Sequence, residues 1–198
     1  MSIDLPVGAE LAYSGLWTPS LHHQTIFREL ALTEVTDEIV ARVGELPWLR
    51  VLHLTGDFTD VSALRGLTGL ATLGLDSTRL ENLPDSALAG LPELRLLRLS
   101  GATATGQGLA ALPAGLRLLY LRLPRLDPSF LAALTQVETI VFAGTPLAEP
   151  LARVLAGLAP TLTRVEFLGV RALEPGPLAV VEAAGIRAGC LFPGSSRR

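Results

Sequence analysis

The chain offers three imidazoles and one thiol for chemistry: His22, His23, His53 and Cys190. His22-His23 beside Gln24 presents two nitrogen donors to a metal ion, but no cysteine or carboxylate accompanies them at a ligand spacing. The pair reads as an ordinary surface or cap feature. His53 stands alone. Cys190 sits in the apolar segment Ala188-Gly189-Cys190-Leu191-Phe192, with no histidine near it in sequence, and reads as a small core side chain rather than a nucleophile. The glycine-rich stretch from Ser100 to Gly108 has a superficial likeness to a phosphate loop. It carries no lysine, so a Walker-type reading fails, and it is better taken as a turn leading into a helix. No constellation with catalytic, metal-ligating or cofactor-binding spacing emerges, and a non-enzymatic chain without a cofactor is expected.

Composition narrows the field further. A length of 198 residues suits one domain with a sizeable core. Hydrophobic residues make up 49 % but aromatics only 5 %, so the core must be aliphatic. Net charge is -3, which gives no electrostatic case for nucleic acid. All 16 basic residues are arginine, a pattern best ascribed to coding bias alongside the abundant Ala, Gly and Pro. Mean hydropathy is +0.44, yet charged residues or glycine interrupt every apolar run short of the ~18 residues of a spanning helix. Residues 1 to 6 lack the basic and apolar regions of a signal peptide. With one cysteine and no internal disulfide, a cytoplasmic location is expected, without membrane association.

The elements that must position any surface chemistry come from a repeat. The pair apolar-x-apolar recurs as Leu30-x-Leu32, Leu52-x-Leu54, Leu73-x-Leu75, Leu97-x-Leu99, Leu119-x-Leu121, Ile140-x-Phe142 and Val165-x-Phe167. Steps between first members are 22, 21, 24, 22, 21 and 25 residues. Self-similarity at that period predicts a solenoid whose repeats bury apolar faces against their neighbours. Each pair has strand periodicity, with both anchors on one face. Return segments such as Thr36–Gly44, Pro84–Leu91, Pro128–Leu134 and Pro150–Leu158 predict one to two helical turns. Thr36 or Asp37 is placed to cap the first of these, and Gly44 to end it. The segment Ala183-x-x-Ile186-x-Ala188-x-x-Leu191 fits the same frame as a degenerate closing strand.

The fullest repeat is Leu67-x-x-Leu70-x-x-Leu73-x-Leu75-x-x-Thr78-x-Leu80-x-x-Leu83-Pro84, and the runs from Leu46 and Leu91 follow the same pattern. This resembles the leucine-rich-repeat family, in a short, bacterial-type, cytoplasmic form. The resemblance covers roughly residues 27 to 191. It implies an α/β solenoid, curved and right-handed, of about seven repeats plus terminal caps. The parallel sheet would line the concave face and short helices or turns the convex face. Residues 1–26 would form the N-terminal cap, 27–182 the repeats, and 183–198 the last strand and tail, all in one structural domain. The family commonly places Asn three residues after the second anchor. Here that position holds Val35, Asp57, Thr78, Ala102, Pro124, Thr145 and Val170. Asp and Thr can form weaker versions of the asparagine bond and the others cannot, so the turns should differ between repeats.

The resemblance also implies that residues between the anchors line the concave face. The central column would read Ala31, His53, Gly74, Arg98, Tyr120, Val141, Glu166 and Arg187. One flank adds Asp76 and Arg122. Strands lie ~4.8 Å apart, so Asp76, Arg98, Tyr120 and Arg122 can touch, with His53 one repeat away. Arg and Tyr are enriched at protein interfaces. His53, Asp76, Arg98, Tyr120, Arg122 and Glu166 are therefore the expected contacts for a protein partner. The competing reading is that Asp76, Arg98 and Arg122 only pair with one another. Two other functions fit the same residues: a regulatory subunit that supplies an arginine to an enzyme, and self-association through an end of the solenoid.

Overall fold

The computed structural model describes residues 28–80, 88–101 and 108–191. Every apolar-x-apolar pair lies in a strand. In chain order the strands are β1 (Glu29–Val35), β2 (Val51–Gly56), β3 (Thr72–Ser77), β4 (Leu96–Gly101), β5 (Leu118–Arg122), β6 (Thr139–Ala143), β7 (Arg164–Leu168) and β8 (Arg187–Leu191). They form one sheet in sequential order, and every neighbouring pair is parallel. Anchor meets anchor throughout: Leu52 faces Leu73, Leu73 faces Leu97, and Phe142 faces Phe167. From Leu52 to Phe167 these anchors are at most 1 % exposed. A one-residue slip would turn them all to solvent, which is why the register is so well specified.

The returns run along the opposite side. Among the described residues they include α1 (Asp37–Val43), α2 (Glu149–Gly157) and α3 (Pro175–Ala183). Tighter 3-10 turns cover Ser62–Gly66, Leu109–Ala111 and Pro128–Ala133. The Pro128 segment thus winds more tightly than an α-helix. Its start is held by the Asp127 carboxylate, which accepts from the Ser129 N–H at 2.9 Å. The expected N-terminal cap, His22, His23, the first half of the Pro84–Leu91 return and residues 102–107 of the glycine-rich stretch lie outside the described residues.

A single carbonyl ahead of each strand starts the next pairing. Arg28 O accepts from the N–H groups of Arg50 (2.7 Å) and Val51 (2.9 Å). Arg50, Ala71, Arg95, Arg117 and Glu138 repeat this two-for-one arrangement. Several of those residues are arginines, and the side chains of Arg50 and Arg117 also clip the loop of the following repeat. Arg50 donates to Gly69 O at 2.7 Å, and Arg117 to Gln136 O at 3.2 Å. Arg95 instead donates to Pro92 O at 3.1 Å, and a Cβ on Gly115 would fall 1.9 Å from its guanidinium, so glycine in the next repeat leaves it room. Arg50 and Arg117 therefore tie successive repeats together through their side chains.

Three expectations change. Gly44 ends α1 with a right-handed φ of -59°, not a left-handed cap. It is glycine because a Cβ there would meet the Ala63 carbonyl oxygen at 2.5 Å. Neither Thr36 nor Asp37 caps α1 through its side chain. Thr36 occupies the N-cap position without a side-chain bond, and Asp37 reaches across to the following repeat. In the last strand, Ala188 and Cys190 face Val165 and Phe167, so Gly189 stands in the central column and Arg187 faces Arg164 on the flank. Ile186 is taken by the end of α3. Gly185, at φ 82°, reverses the chain, and the Ile186 N–H bonds to Val181 O at 3.3 Å.

Asp37 staples two repeats. One carboxylate oxygen accepts from the Thr59 N–H (2.7 Å) and the Asp60 N–H (2.9 Å), and the other from the Thr59 hydroxyl (3.0 Å). The Asp60 N–H first, then the Thr59 N–H and hydroxyl, outweigh desolvation and hold this carboxyl below its ordinary value. A lowered folded pKa stabilises the fold above the ordinary carboxylate value of 3.8, and that contribution fades as pH falls through the folded pKa. Asp37→Ala should therefore cost about 1 kcal/mol near neutrality, discounted for solvent exposure, and progressively less in acid. Urea unfolding midpoints at neutral pH and near pH ~2 check this; an equal loss at both would refute the role of the charge.

Candidate functional site

The alternation that buries the anchors leaves the intervening residues on one open face of the sheet. Its central column is Ala31, His53, Gly74, Arg98, Tyr120, Val141, Glu166 and Gly189, each facing the next across a strand pair. Asp76 and Arg122 lie on one flank, each opposite Ser100.

Arg98 and Tyr120 are brought into contact. The guanidinium carbon stands 4.8 Å from the ring centroid, a cation–π stack on adjacent strands. Arg98 and Arg122 are both exposed, while Tyr120 is half-buried. Among the described residues, neither arginine has a carboxylate within 4 Å. Asp76 makes no ion pair with them either. The mutual neutralisation of Asp76, Arg98 and Arg122 is thus not what the side chains do.

His53 and Glu166 are held differently, and both lean over a glycine. A Cβ on Gly74 would lie 2.2 Å from His53 Nδ1, and one on Gly189 would lie 2.7 Å from Glu166 Oε2. The missing side chain lets each residue lie flat across the neighbouring strand. Glu166 is only 8 % exposed and accepts from the Arg164 guanidinium at 2.6 Å. Its charge is largely consumed inside the protein. His53, Thr55, Gly74, Asp76 and Arg98 line a shallow depression of about 220 Å³.

A second open cleft, about 510 Å³, lies at the C-terminal ends of β1–β3. Glu34, Thr36, Asp57, Asp76 and Thr78 contribute to it. Glu34 adopts φ 56°, a left-handed conformation uncommon outside glycine, where β1 bulges between Leu32 and Val35. The Thr78 hydroxyl donates to the Asp57 carboxylate, so two positions where the family would carry Asn bond to each other across repeats. Thr145, at the same position further on, has a buried hydroxyl without a partner. The strand periodicity gave no sign of the bulge, so this cleft was invisible in the sequence.

Cys190 is half-buried against the core. No group of three or more His, Cys, Asp or Glu residues is placed to hold a metal ion among the described residues. No described helix is long and apolar enough to cross a membrane.

No protein-family model matches the sequence, and no curated protein does. Eleven chains of solved structures match the fold. One is internalin C2 from Listeria monocytogenes, a leucine-rich-repeat protein, with a TM-score of 0.57 and 24 % sequence identity. The match spans 85 % of this chain and 74 % of that one. At that identity the likeness is one of fold. The sequential parallel sheet, the leucine register and this neighbour together make the chain a leucine-rich-repeat solenoid in architecture.

Proposed function

We propose that the chain is a non-enzymatic protein-interaction module that binds a partner through the open face of its sheet. In this reading residues 27–182 are the recognition array, between ends formed by 1–26 and 183–198. The carrying observation is the exposed Arg98–Tyr120 stack beside Arg122. It offers large contact area and directional donors at mid-sheet, with no carboxylate within 4 Å of either arginine among the described residues. Such residues dominate binding energy at protein interfaces.

The test is the double substitution Arg98→Ala and Tyr120→Ala. Both side chains project from the open face, so the variant should stay folded and lose only about 1 kcal/mol, from the cation–π stack and the part-buried Tyr120 ring. A partner captured by wild type, identified by mass spectrometry, should lose affinity by two orders of magnitude or thereabouts, on the order of 3 kcal/mol across two interface anchors. Unchanged affinity for that partner would move the interface off this face.

A further inference from the structure

The partner's chemistry can be read from how charge is distributed along the open face, given that this face binds at all. On β4–β8 the three outward columns carry Arg98, Arg122, Arg164 and Arg187 against Glu166 alone. On β1–β3 the same columns carry Glu29 and Asp76 and no arginine. A chain of net charge -3 thus turns a cationic half-face outward. Arg164 is engaged by Glu166 at 2.6 Å, which leaves Arg98, Arg122 and Arg187 without a carboxylate within 4 Å among the described residues.

We propose that the occupant is an acidic, extended segment of a partner protein, seated on β4–β5 with carboxylates on Arg98 and Arg122. Arg98 lies opposite Tyr120 and Arg122 opposite Ser100, so the two arginines are one strand across and two residues along. Strand spacing and rise separate their backbones by about 8 Å. Alternate side chains of an extended peptide are about 7 Å apart, so a Glu-x-Glu segment places one carboxylate on each guanidinium. The Tyr120 ring supports Arg98 from one side and leaves its hydrogen-bonding edge for a carboxylate. Asp76 and Glu29 repel the same segment from β1–β3, which fixes its position along the sheet.

The probe is a fluorescently labelled peptide of alternating glutamate and glycine, titrated into the full chain at low salt. The comparisons are its lysine–glycine counterpart, a single-stranded oligonucleotide, the double variant Arg98→Glu/Arg122→Glu, and Arg171→Glu as a reversal off the face. The glutamate peptide should bind wild type and Arg171→Glu alike. It should lose on the order of tenfold or more in the double reversal, while the lysine peptide gains there. Failure of the glutamate peptide with wild type, or equal binding to the double reversal, overturns the proposal. So does an oligonucleotide that binds at these arginines where the peptide does not. A photocrosslinker at Val141, next to Tyr120 on β6, keeps the broader reading separate. Partner protein crosslinked there while the glutamate peptide fails would retain the face and discard its acidic ligand.

Discussion

Gly56→Ala should lower stability by about 3 kcal/mol, roughly 6–12 °C in Tm for a chain of this length. The cause is backbone, not side chain. A Cβ on Gly56 would stand 2.2 Å from the Val35 carbonyl oxygen and 2.3 Å from the Val35 nitrogen. Neither atom can swing away, because Val35 closes the bulged end of β1 and its own side chain is fully buried. β1 and β2 would have to part at that end. The Asp57 N–H, bonded to Val35 O at 2.8 Å, would be lost with the contact. Gly157→Ala is the matched control: nothing lies within 4 Å of its Cβ position at the end of α2, and the exchange should be neutral or slightly stabilising. Thermal unfolding of the two variants side by side decides the matter, and a Gly56→Ala protein as stable as wild type would refute this packing.

Phe142→Ala should cost as much or more, about 3–5 kcal/mol. Phe142 and Phe167 are fully buried and face each other across β6 and β7. Their rings stack at 5.4 Å between centroids with an 18° interplanar angle. They stand where the earlier repeats carry leucine, so this is where an aliphatic core is locally thickened by aromatic volume. Truncation removes that volume and strips Phe167 of its ring partner, while the strands on both sides hold the cavity open. Phe142→Leu should cost about 1–2 kcal/mol, because leucine is what the same position holds elsewhere in the sheet. Urea unfolding separates the two, with hydrogen exchange to show whether the loss centres on β5–β7. A Phe142→Ala cost below about 1 kcal/mol would mean the site collapses freely.

The period and the anchors were enough to locate β1–β7 and to set which residues share a row. Side-chain alternation has only two phases, and the leucines choose one of them. The closing strand was foreseen but placed two residues early, because Ile186-x-Ala188 matches the anchor pattern as well as Ala188-x-Cys190 does. The choice belongs to Gly185, whose left-handed turn spends Ile186 on terminating α3. For the candidate contacts, the neighbourhood of Arg98, Tyr120 and Arg122 follows from register alone. Whether charges on that face meet one another does not. Arg164 reaches Glu166 within one strand, while Asp76 reaches neither Arg98 nor Arg122, and side-chain length and tilt decide both. The leaning of His53 and Glu166 over glycines was likewise hidden, since it depends on an absent side chain in the next repeat.

The two-for-one carbonyl bonds join each repeat only to the one before it, and no strand skips a neighbour. Such an array has little means of allosteric coupling. A ligand seated on β4–β5 should act on its own and adjoining repeats and leave β1, three strands away, unaffected. Substitutions in distant repeats should then act independently on affinity, their energies adding. Specificity in this architecture is composed row by row, so one row can be rewritten while the others keep their meaning.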